Sequence, residues 1–247
     1  MSDSFDQIQD YYEDQGWTDG LPVVPATEEL VQRMLGAFGE DPAHSLGLIQ
    51  PRNAQVTLEK VAVNAVMAGC KPEYFPVVMA GVRALLEPRF NLHGVQTTTH
   101  PSVPLLIING PIRDRIGINY KHGVFGNGYR ANGTIGRAIR LIQWNIGGSY
   151  PGDADQSTFA HPGKWAYCIG EWEEESPWEP FHVEKGFAPE ASTVTAFTCD
   201  APLTIRCHGT AEQILSPICQ SMAIMGPNNL YYMGEVLLAI SPREART

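Results

Sequence analysis

Apolar residues recur three or four positions apart in several segments of the chain, and this spacing predicts amphipathic helices. One such helix begins after Thr57, whose hydroxyl can cap it, and ends at Gly69. Pro72 then stands where a first-turn proline belongs, so another helix is predicted over residues 73–87. A face of isoleucines predicts a further helix over residues 131–146.

Other segments have the composition of extended chain. Residues 90–101 and 103–110 are predicted as core strands, and the run VPLLIING in the second is typical of a strand buried on both faces. Further elements are predicted farther along, namely strands at 165–171, 192–199, 203–207 and 230–240 and a helix at 210–225. Buried strands with helices between them predict an α/β or α+β fold, with a mixed sheet and helices packed on it.

Length and composition favour one large domain over residues 1–247, of which residues 1–40 could form an N-terminal helical arm. Apolar residues make up 43% of the chain and charged residues 18%, which is typical of a globular protein with a substantial core. The N-terminus has neither a basic start nor an apolar stretch, and no apolar run is long enough to span a membrane, so we expect a cytoplasmic protein. The five cysteines include no Cys-x-x-Cys pair, which predicts free thiols.

The chain is acidic, and this charge limits the classes of partner. Its 27 acidic and 17 basic residues give a net charge of −10. A negative field repels phosphate backbones and anionic lipid, so neither nucleic acid nor a membrane surface is expected as a partner. A local basic patch can still bind a small anion.

Cys70 is the first residue with candidate chemistry. It follows the glycine that ends one predicted helix and lies two positions before the proline that opens the next. A thiol in the first turn of a helix is stabilised as thiolate by the helix dipole, and Lys71 would add to this effect, so Cys70 is a candidate nucleophile. The alternative is that Cys70 only fills space, because cysteine is among the most buried residue types.

Thr98, Thr99 and His100 lie at the end of a predicted core strand, where open sheets tend to place ligands. The threonines offer hydroxyl groups, and an imidazole titrates near neutral pH, which suits a general acid or base. In the alternative interpretation, the threonines are strand formers and His100 bonds a carbonyl group.

A glycine-rich loop, GVFGNGYRANGTIGRAIR at residues 123–140, leads into a predicted helix. Flexible backbone amides before a helix N-terminus, with Arg130, Arg137 and Arg140 nearby, predict a cradle for a carboxylate or phosphate. The loop lacks the third glycine of a dinucleotide fingerprint and the Gly-Lys-Ser/Thr of a P-loop. The alternative is a surface loop with solvated arginines.

Lys164 precedes a predicted strand, and alternation along that strand would place it on the same face as Cys168. A lysine in a pocket can bind a carboxylate or form an imine, whereas the alternative is a surface lysine. His93, His100 and His161 are of metal-ligand type, yet no ligand spacing among them fixes a site. No cofactor is predicted. A bound transition metal is expected only if the protein is a metal-dependent lyase or hydratase.

Several segments together resemble a family of uncharacterised bacterial proteins over roughly residues 18–200. They include EKVAVNAVMAGCKPEYFPVV, FNLHGVQTTTHP, LLIINGPI, YRANGTIGRAIRLI, HPGKWAYCIGEWEEESPWEP and EKGFAPE. That family is associated with small thioredoxin-like proteins that carry a Cys- or selenocysteine-Gly-Ser-Cys motif. Because this chain has no such motif of its own, the resemblance implies a thiol-active partner protein.

The resemblance also implies roles for particular residues. It supports six of the candidates named above: Cys70, Thr98, Thr99, His100, Arg130 and Lys164. It adds Asn109 and Gly110 in NGP, Asn132 in YRANGT, and Glu173 and Glu174 before SPWEP. Members of the family run on after the last predicted strand, whereas this chain stops at SPREART. The resemblance therefore implies a second subunit that completes the fold or the site, in a homo- or hetero-oligomer.

The favoured hypothesis is an enzyme subunit, a lyase, hydrolase or thiol-dependent oxidoreductase, that cleaves a bond beside a carbonyl or carbon-heteroatom centre of a small anionic metabolite. In it Cys70 is the nucleophile, His100 the acid or base, and Lys164 the residue that orients or polarises the substrate. The substrate-binding residues are Thr98, Thr99, Asn109, Arg130, Asn132 and Glu173. Two alternatives stay open: a metal-dependent lyase or hydratase with ligands such as His93, His100 and His161, and a non-catalytic subunit of a thiol-redox complex.

Overall fold

The computed structural model describes residues 4–36, 38–223 and 236–247. The strands are β1 (Ser45–Ile49), β2 (Ala54–Thr57), β3 (Val103–Asn109), β4 (Cys168–Gly170) and β5 (Thr193–Cys199). The helices are α1 (Phe5–Asp14), α2 (Glu28–Gly36), α3 (Leu58–Met67), α4 (Phe75–Leu86), α5 (Leu92–Thr97), α6 (Ile112–Ile116), α7 (Arg130–Asn145), α8 (Phe181–Glu184), α9 (Ala211–Met222) and α10 (Pro242–Ala245).

The central sheet has three strands in the order β4-β3-β5. β3 runs parallel to β4, with Ile107 opposite Ile169, and antiparallel to β5, with Leu106 opposite Ala196. A separate antiparallel hairpin is formed by β1 and β2. The prediction of a mixed sheet with helices, in an α+β arrangement, is confirmed.

β3 is buried on both faces, as its apolar run predicts. Leu106 and Ile108 belong to the main core with α3, α4 and α7, whereas Leu105 and Ile107 pack on the opposite face with Tyr167. This division follows from the alternation of side chains along a strand. Polar groups can therefore be presented only at the two ends of β3.

A glycine brings α7 close to the segment that enters β4. A Cβ atom at Gly136 would lie 2.5 Å from the backbone nitrogen of Tyr167, so a larger residue would force the two apart. Arg140 lies one turn farther along the same face of α7. The close approach therefore also brings the Arg140 side chain towards the loop between α7 and β4.

Hydrogen bonds and the packing of Tyr12 against the main core hold α1 against the rest of the chain. α1 has no buried residue, yet the Gln9 side chain makes two hydrogen bonds with the backbone of Val23. The Tyr12 hydroxyl accepts a hydrogen bond of 3.1 Å from the backbone N–H of Ala26.

The assignment of residues 1–247 to one domain stays a prediction.

The long helices agree with the apolar pattern. α3, α4, α7 and α9 confirm the helices predicted after Thr57 and over residues 73–87, 131–146 and 210–225, apart from residues 224 and 225, which lie outside the described residues. Among the described parts of the chain, no helix combines the length and apolarity needed to cross a membrane.

Four predicted strands differ in the structure. Residues 90–101 contain helix α5, because Asn91 takes a left-handed conformation and its side chain caps the helix. β4 is shorter than predicted, and residues 203–207 form no strand. Of residues 230–240, the first six lie outside the described residues, and residues 236–240 are irregular.

Candidate functional site

Polar side chains gather in two clusters at opposite ends of β3. The β3-start cluster comprises Arg140, Asp155, Ser157 and Lys164, next to the backbone of Thr99 and His100. The β3-end cluster comprises Asn109, Arg113, Glu171, Glu173, Glu174 and His182. A strand of seven residues is about 20 Å long, so the two clusters are separate sites.

Asp155 is the centre of the β3-start cluster. One of its oxygens, Oδ2, accepts a hydrogen bond of 2.9 Å from Arg140 Nη2 and another of 2.6 Å from Lys164 Nζ. Lys164 Nζ also donates to Ser157 Oγ at 2.7 Å, and this hydroxyl donates to the carbonyl oxygen of His100 at 2.8 Å. Ser157 thus joins the lysine to the segment that precedes β3.

The buried part of this cluster carries more positive than negative charge. The side chains of Arg140, Asp155 and Lys164 are 8%, 4% and 12% exposed, and one carboxylate serves both cations. Burial lowers the pKa of Lys164, against the opposing effect of Asp155. Burial on its own would raise the pKa of Asp155, but hydrogen bonds from Lys164 and Ser157 outweigh it and the pKa is lowered.

Further polar groups surround the cluster. Arg140 Nη1 donates to Gln143 Oε1 at 3.2 Å, while Gln143 Nε2 is buried with no hydrogen-bond partner in the described chain. Asp200, after β5, accepts a hydrogen bond from Ser102 and lies near enough to Lys164 to act on its charge. The pKa of His161 is lowered by burial, and its Nδ1 accepts a hydrogen bond from the backbone of Gly163.

The β3-end cluster is built around Glu173. Its Oε1 accepts hydrogen bonds of 2.8 Å from Asn109 Nδ2 and from the backbone N–H of Gly110, and its Oε2 accepts one of 2.9 Å from Arg113 Nη2. The guanidinium of Arg113 also contacts Glu174, at 2.7 Å. The cluster sets three carboxylates, those of Glu171, Glu173 and Glu174, against the one guanidinium of Arg113, so its excess charge is negative and is held by hydrogen bonds.

Two buried polar atoms at the β3-end cluster have no hydrogen-bond partner within the described residues. They are Oδ1 of Asn109 and Nδ1 of His182. Nδ1 of His182 lies 3.8 Å from Oε1 of Glu173, and its Nε2 lies 3.3 Å from the carbonyl oxygen of Pro189. Glu171 completes the cluster by accepting hydrogen bonds from Asn109 and from the backbone of Phe181.

Cys70 lies in the main core, away from both clusters. Its backbone N–H donates to the Ala65 carbonyl and so closes α3, and its Sγ donates to the carbonyl oxygen of Thr134 at 3.3 Å. Burial raises the pKa of the thiol to about 12. The expected thiolate at a helix N-terminus is wrong for this structure, because desolvation outweighs the nearby positive charge of Arg130.

The arginines after the glycine-rich loop are engaged with other parts of the chain. Arg130 donates from Nε and Nη2 to the carbonyl oxygen of Gly69, and Arg137 forms two hydrogen bonds with Asp19. Asn132 is buried and bonds to the backbone of Asn119 and Cys168. These hydrogen bonds hold α7 against neighbouring segments, and anion binding by Arg130 and Asn132 stays a prediction.

Lys164 does not share a strand face with Cys168, because residues 162–164 form a 3-10 turn before β4 begins. His100 lies in an irregular segment, where its backbone N–H donates to the Thr98 hydroxyl. Thr99 accepts a hydrogen bond of 3.1 Å from the backbone of Thr158. The structure therefore brings Lys164, His100, Thr98 and Thr99 to one end of β3.

The other predicted site residues lie elsewhere. Asn109 and Glu173 meet at the β3-end cluster, whereas Cys70 lies in the core below the exposed Arg130. His93, on α5, does not join His100 and His161 in a metal site. In the described ranges, no group of three or more His, Cys, Asp or Glu side chains is arranged to hold a metal ion.

Sequence reasoning missed Asp155, Ser157, Arg113, Glu171 and His182. The loop PGDADQSTF carries Asp155 and Ser157, and its polar composition is that of any surface loop. The parallel pairing of β3 with β4 was the signal for the β3-end cluster, because the carboxyl ends of parallel strands meet at one sheet edge.

Comparisons with protein-family models, with curated proteins and with solved structures found no significant match to this chain. The resemblance to a bacterial family with thioredoxin-like partners therefore stays a prediction. The functional interpretation below depends on the geometry of the two clusters.

Proposed function

We propose that this chain is an enzyme subunit that acts on a small anionic metabolite and binds it at the β3-start cluster. The observation that supports the proposal is the charge of that cluster, in which Arg140 and Lys164 share the single carboxylate of Asp155. Burying a charge without a partner is costly, and the anionic group of a substrate would supply the missing partner. The β3-end cluster is a poorer anion site, because three carboxylates surround its one guanidinium and would repel an anion.

Lys164 is the cation that a ligand would contact. Its side chain is the most exposed of the three buried charged groups. Its Nζ lies beside the Ser157 hydroxyl, which contacts the segment containing Thr99 and His100. In this proposal the hydroxyls of Thr98 and Thr99 orient the anion, and Lys164 pairs with it.

The reaction we propose is cleavage of a bond beside a carbonyl or carbon-heteroatom centre. A lysine can polarise a carbonyl oxygen, and a histidine at the same end of β3 can transfer a proton. His100 takes that second role. Cys70 has no part in it, because its buried thiol holds its proton.

We also propose that the protein is cytoplasmic and forms an oligomer with a second subunit. Because the β3-start cluster lies within this chain, the chain can bind the substrate alone, and the second subunit is required only for turnover. Size-exclusion chromatography coupled to light scattering would give the oligomeric state directly.

Thermal unfolding with small anions tests the binding site. We expect the melting temperature of the native chain to rise with inorganic phosphate, malonate or glyoxylate, because a ligand that binds only the folded state stabilises it. Lys164→Met should abolish the rise while leaving the Arg140–Asp155 pair intact.

The matched control is Lys185→Met, because Lys185 lies on the surface in an exposed ion pair with Glu184. This variant should respond to the anions like the native chain. An equal rise in the Lys164→Met variant would contradict the proposal, and so would the absence of any anion-dependent rise in the native chain.

A further inference from the structure

We propose that Lys164 is a carbonyl-reactive amine, which forms an imine with a small aldehyde or ketone that carries an anionic group. The claim that the substrate carries an anionic group rests on the proposed function, whereas the reactivity of the Lys164 amine does not. The geometry that supports the inference is the arrangement of Arg140 and Lys164 on the same Oδ2 atom of Asp155.

Two buried cations on one carboxylate leave one positive charge in excess, and the loss of one proton removes it. Arginine does not lose its proton in proteins, so the proton must come from the lysine. Lys164 then remains hydrogen-bonded to Asp155 and Ser157 as a neutral amine, and the buried charges of Arg140 and Asp155 match.

Neighbouring charges act on Lys164 in both directions. Burial, the largest cause, and the repulsion of Arg140 lower its pKa and together outweigh the attraction of Asp155 and Asp200 for the protonated form. Asp19, the other carboxylate that acts on Arg140, is already paired with Arg137 at 2.7 Å. His161 also lies near Lys164 and, when protonated, adds to the repulsion. The lowered pKa of Lys164, caused first by burial, agrees with this placement.

The covalent step is a condensation. The lone pair of Nζ attacks the carbonyl carbon, the two protons of the amine leave with the carbonyl oxygen as water, and a C=N bond forms. One proton from solvent then converts the imine to an iminium ion, so no oxidant or reductant is needed. The iminium withdraws electrons from the neighbouring carbon, which suits cleavage of a bond beside a carbonyl.

The charges balance in the bound state as well. The iminium at Lys164 and the guanidinium of Arg140 carry two positive charges, and Asp155 supplies one negative charge. The anionic group of the substrate supplies the second. A neutral aldehyde would leave the excess charge that the free protein avoids, so an anionic carbonyl compound is the preferred class.

Reductive trapping tests the inference on the intact chain. Glyoxylate, which joins an aldehyde to a carboxylate, is added with sodium cyanoborohydride at neutral pH, and the labelled lysines are identified by peptide mass spectrometry. We expect Lys164 to be labelled faster than the exposed Lys185, because each unit by which the pKa falls gives about tenfold more free amine. Lys164→Arg should remove that label and leave the label at Lys185.

The outcomes separate this inference from the proposed function. Labelling of Lys164 at or below the rate of Lys185 overturns the inference, even if anions raise the melting temperature. Fast labelling by both glyoxylate and neutral propionaldehyde, without an anion-dependent melting temperature, supports the reactive amine and overturns the anion site. Preferential labelling of Lys164 by glyoxylate supports both.

Discussion

The two ends of β3 differ in how their buried charges are paired. Each end buries charged side chains where the strand leaves the apolar core. At the β3-end cluster, Glu173 accepts three hydrogen bonds and its charge is matched by Arg113. At the β3-start cluster, Asp155 must serve both Arg140 and Lys164. The β3-end cluster therefore has an excess of negative charge, held by hydrogen bonds within the chain, whereas the β3-start cluster places two cations on one buried carboxylate, which a ligand or the loss of a proton would balance.

The difference suggests separate roles: the β3-end cluster stabilises the fold, and the β3-start cluster is suited to a reaction. Removing one partner of a buried ion pair lowers the free energy of unfolding strongly, because the other partner is then left without its counter-charge. Burial lowers the pKa of Lys164, and groups with shifted pKa values concentrate at functional sites. The β3-start cluster is thus the better candidate for a reacting centre.

The largest effect is expected from Asp155→Asn. It leaves the buried guanidinium of Arg140 without the carboxylate that pairs with it, and breaking a buried pair in this way costs about 3–5 kcal/mol of unfolding free energy. Urea denaturation measures the change. Asp153→Asn, in the same loop but exposed, is the control and should alter stability by less than about 0.5 kcal/mol. Equal effects of the two variants would mean that Asp155 does not hold the cluster together.

A smaller loss is expected from Arg113→Met at the β3-end cluster. Glu173 keeps its hydrogen bonds from Asn109 and Gly110, so removing the guanidinium should cost about 2–3 kcal/mol, less than the loss of Asp155. Arg115→Met, on the exposed side of α6, should change little. If Arg113→Met destabilised the protein more than Asp155→Asn, the ranking of the two ends would be reversed.

Cys70 belongs to neither end, and we expect Cys70→Ala to cost about 1 kcal/mol through the small cavity that it leaves. The native thiol should also resist alkylation by iodoacetamide at pH 8, because its pKa is raised to about 12, whereas the exposed Cys219 should react first. Mass spectrometry of partly alkylated protein gives the order. Rapid modification of Cys70 in the folded protein would restore it as a candidate nucleophile.

The smallest change in stability at neutral pH is expected from Lys164→Met, within about 1 kcal/mol, because Arg140 and Asp155 still pair. Its pH dependence is the informative quantity. Since the folded pKa of Lys164 is lowered, the unfolded chain binds the extra proton up to its ordinary value near 10.5. The native chain should therefore gain stability relative to the variant as the pH rises from neutral towards that value. A constant difference between the two would show that the lysine keeps its ordinary pKa.

Local signals were enough to predict much of the fold. The threonine before α3 caps it, and its apolar stripe packs into the core, so both the start of the helix and its buried face were predictable. The apolar run of β3 predicted a strand buried on both faces. Asn91 shows where such signals fail, because one left-handed residue turned a predicted strand into α5.

Candidate residues were easier to predict than their grouping. His100 and Lys164 were both named from their residue types, and they do lie at the same end of β3. The sequence predicted that a helix N-terminus stabilises the Cys70 thiolate, but burial instead raises the pKa of the thiol. Asn109 and Glu173 do meet, yet about 20 Å of strand separates them from His100.

The sequence by itself determined the helices with clear apolar faces, the buried character of β3 and the identity of side chains able to react, because these depend on neighbours within a few positions. Only the tertiary structure decided which charges meet. The shared carboxylate of Asp155 joins residues from α7 and from the loop before β4, and the close approach at Gly136 helps to bring them together. Burial and pairing over such distances set the pKa of Lys164 and Cys70, and no local pattern records them.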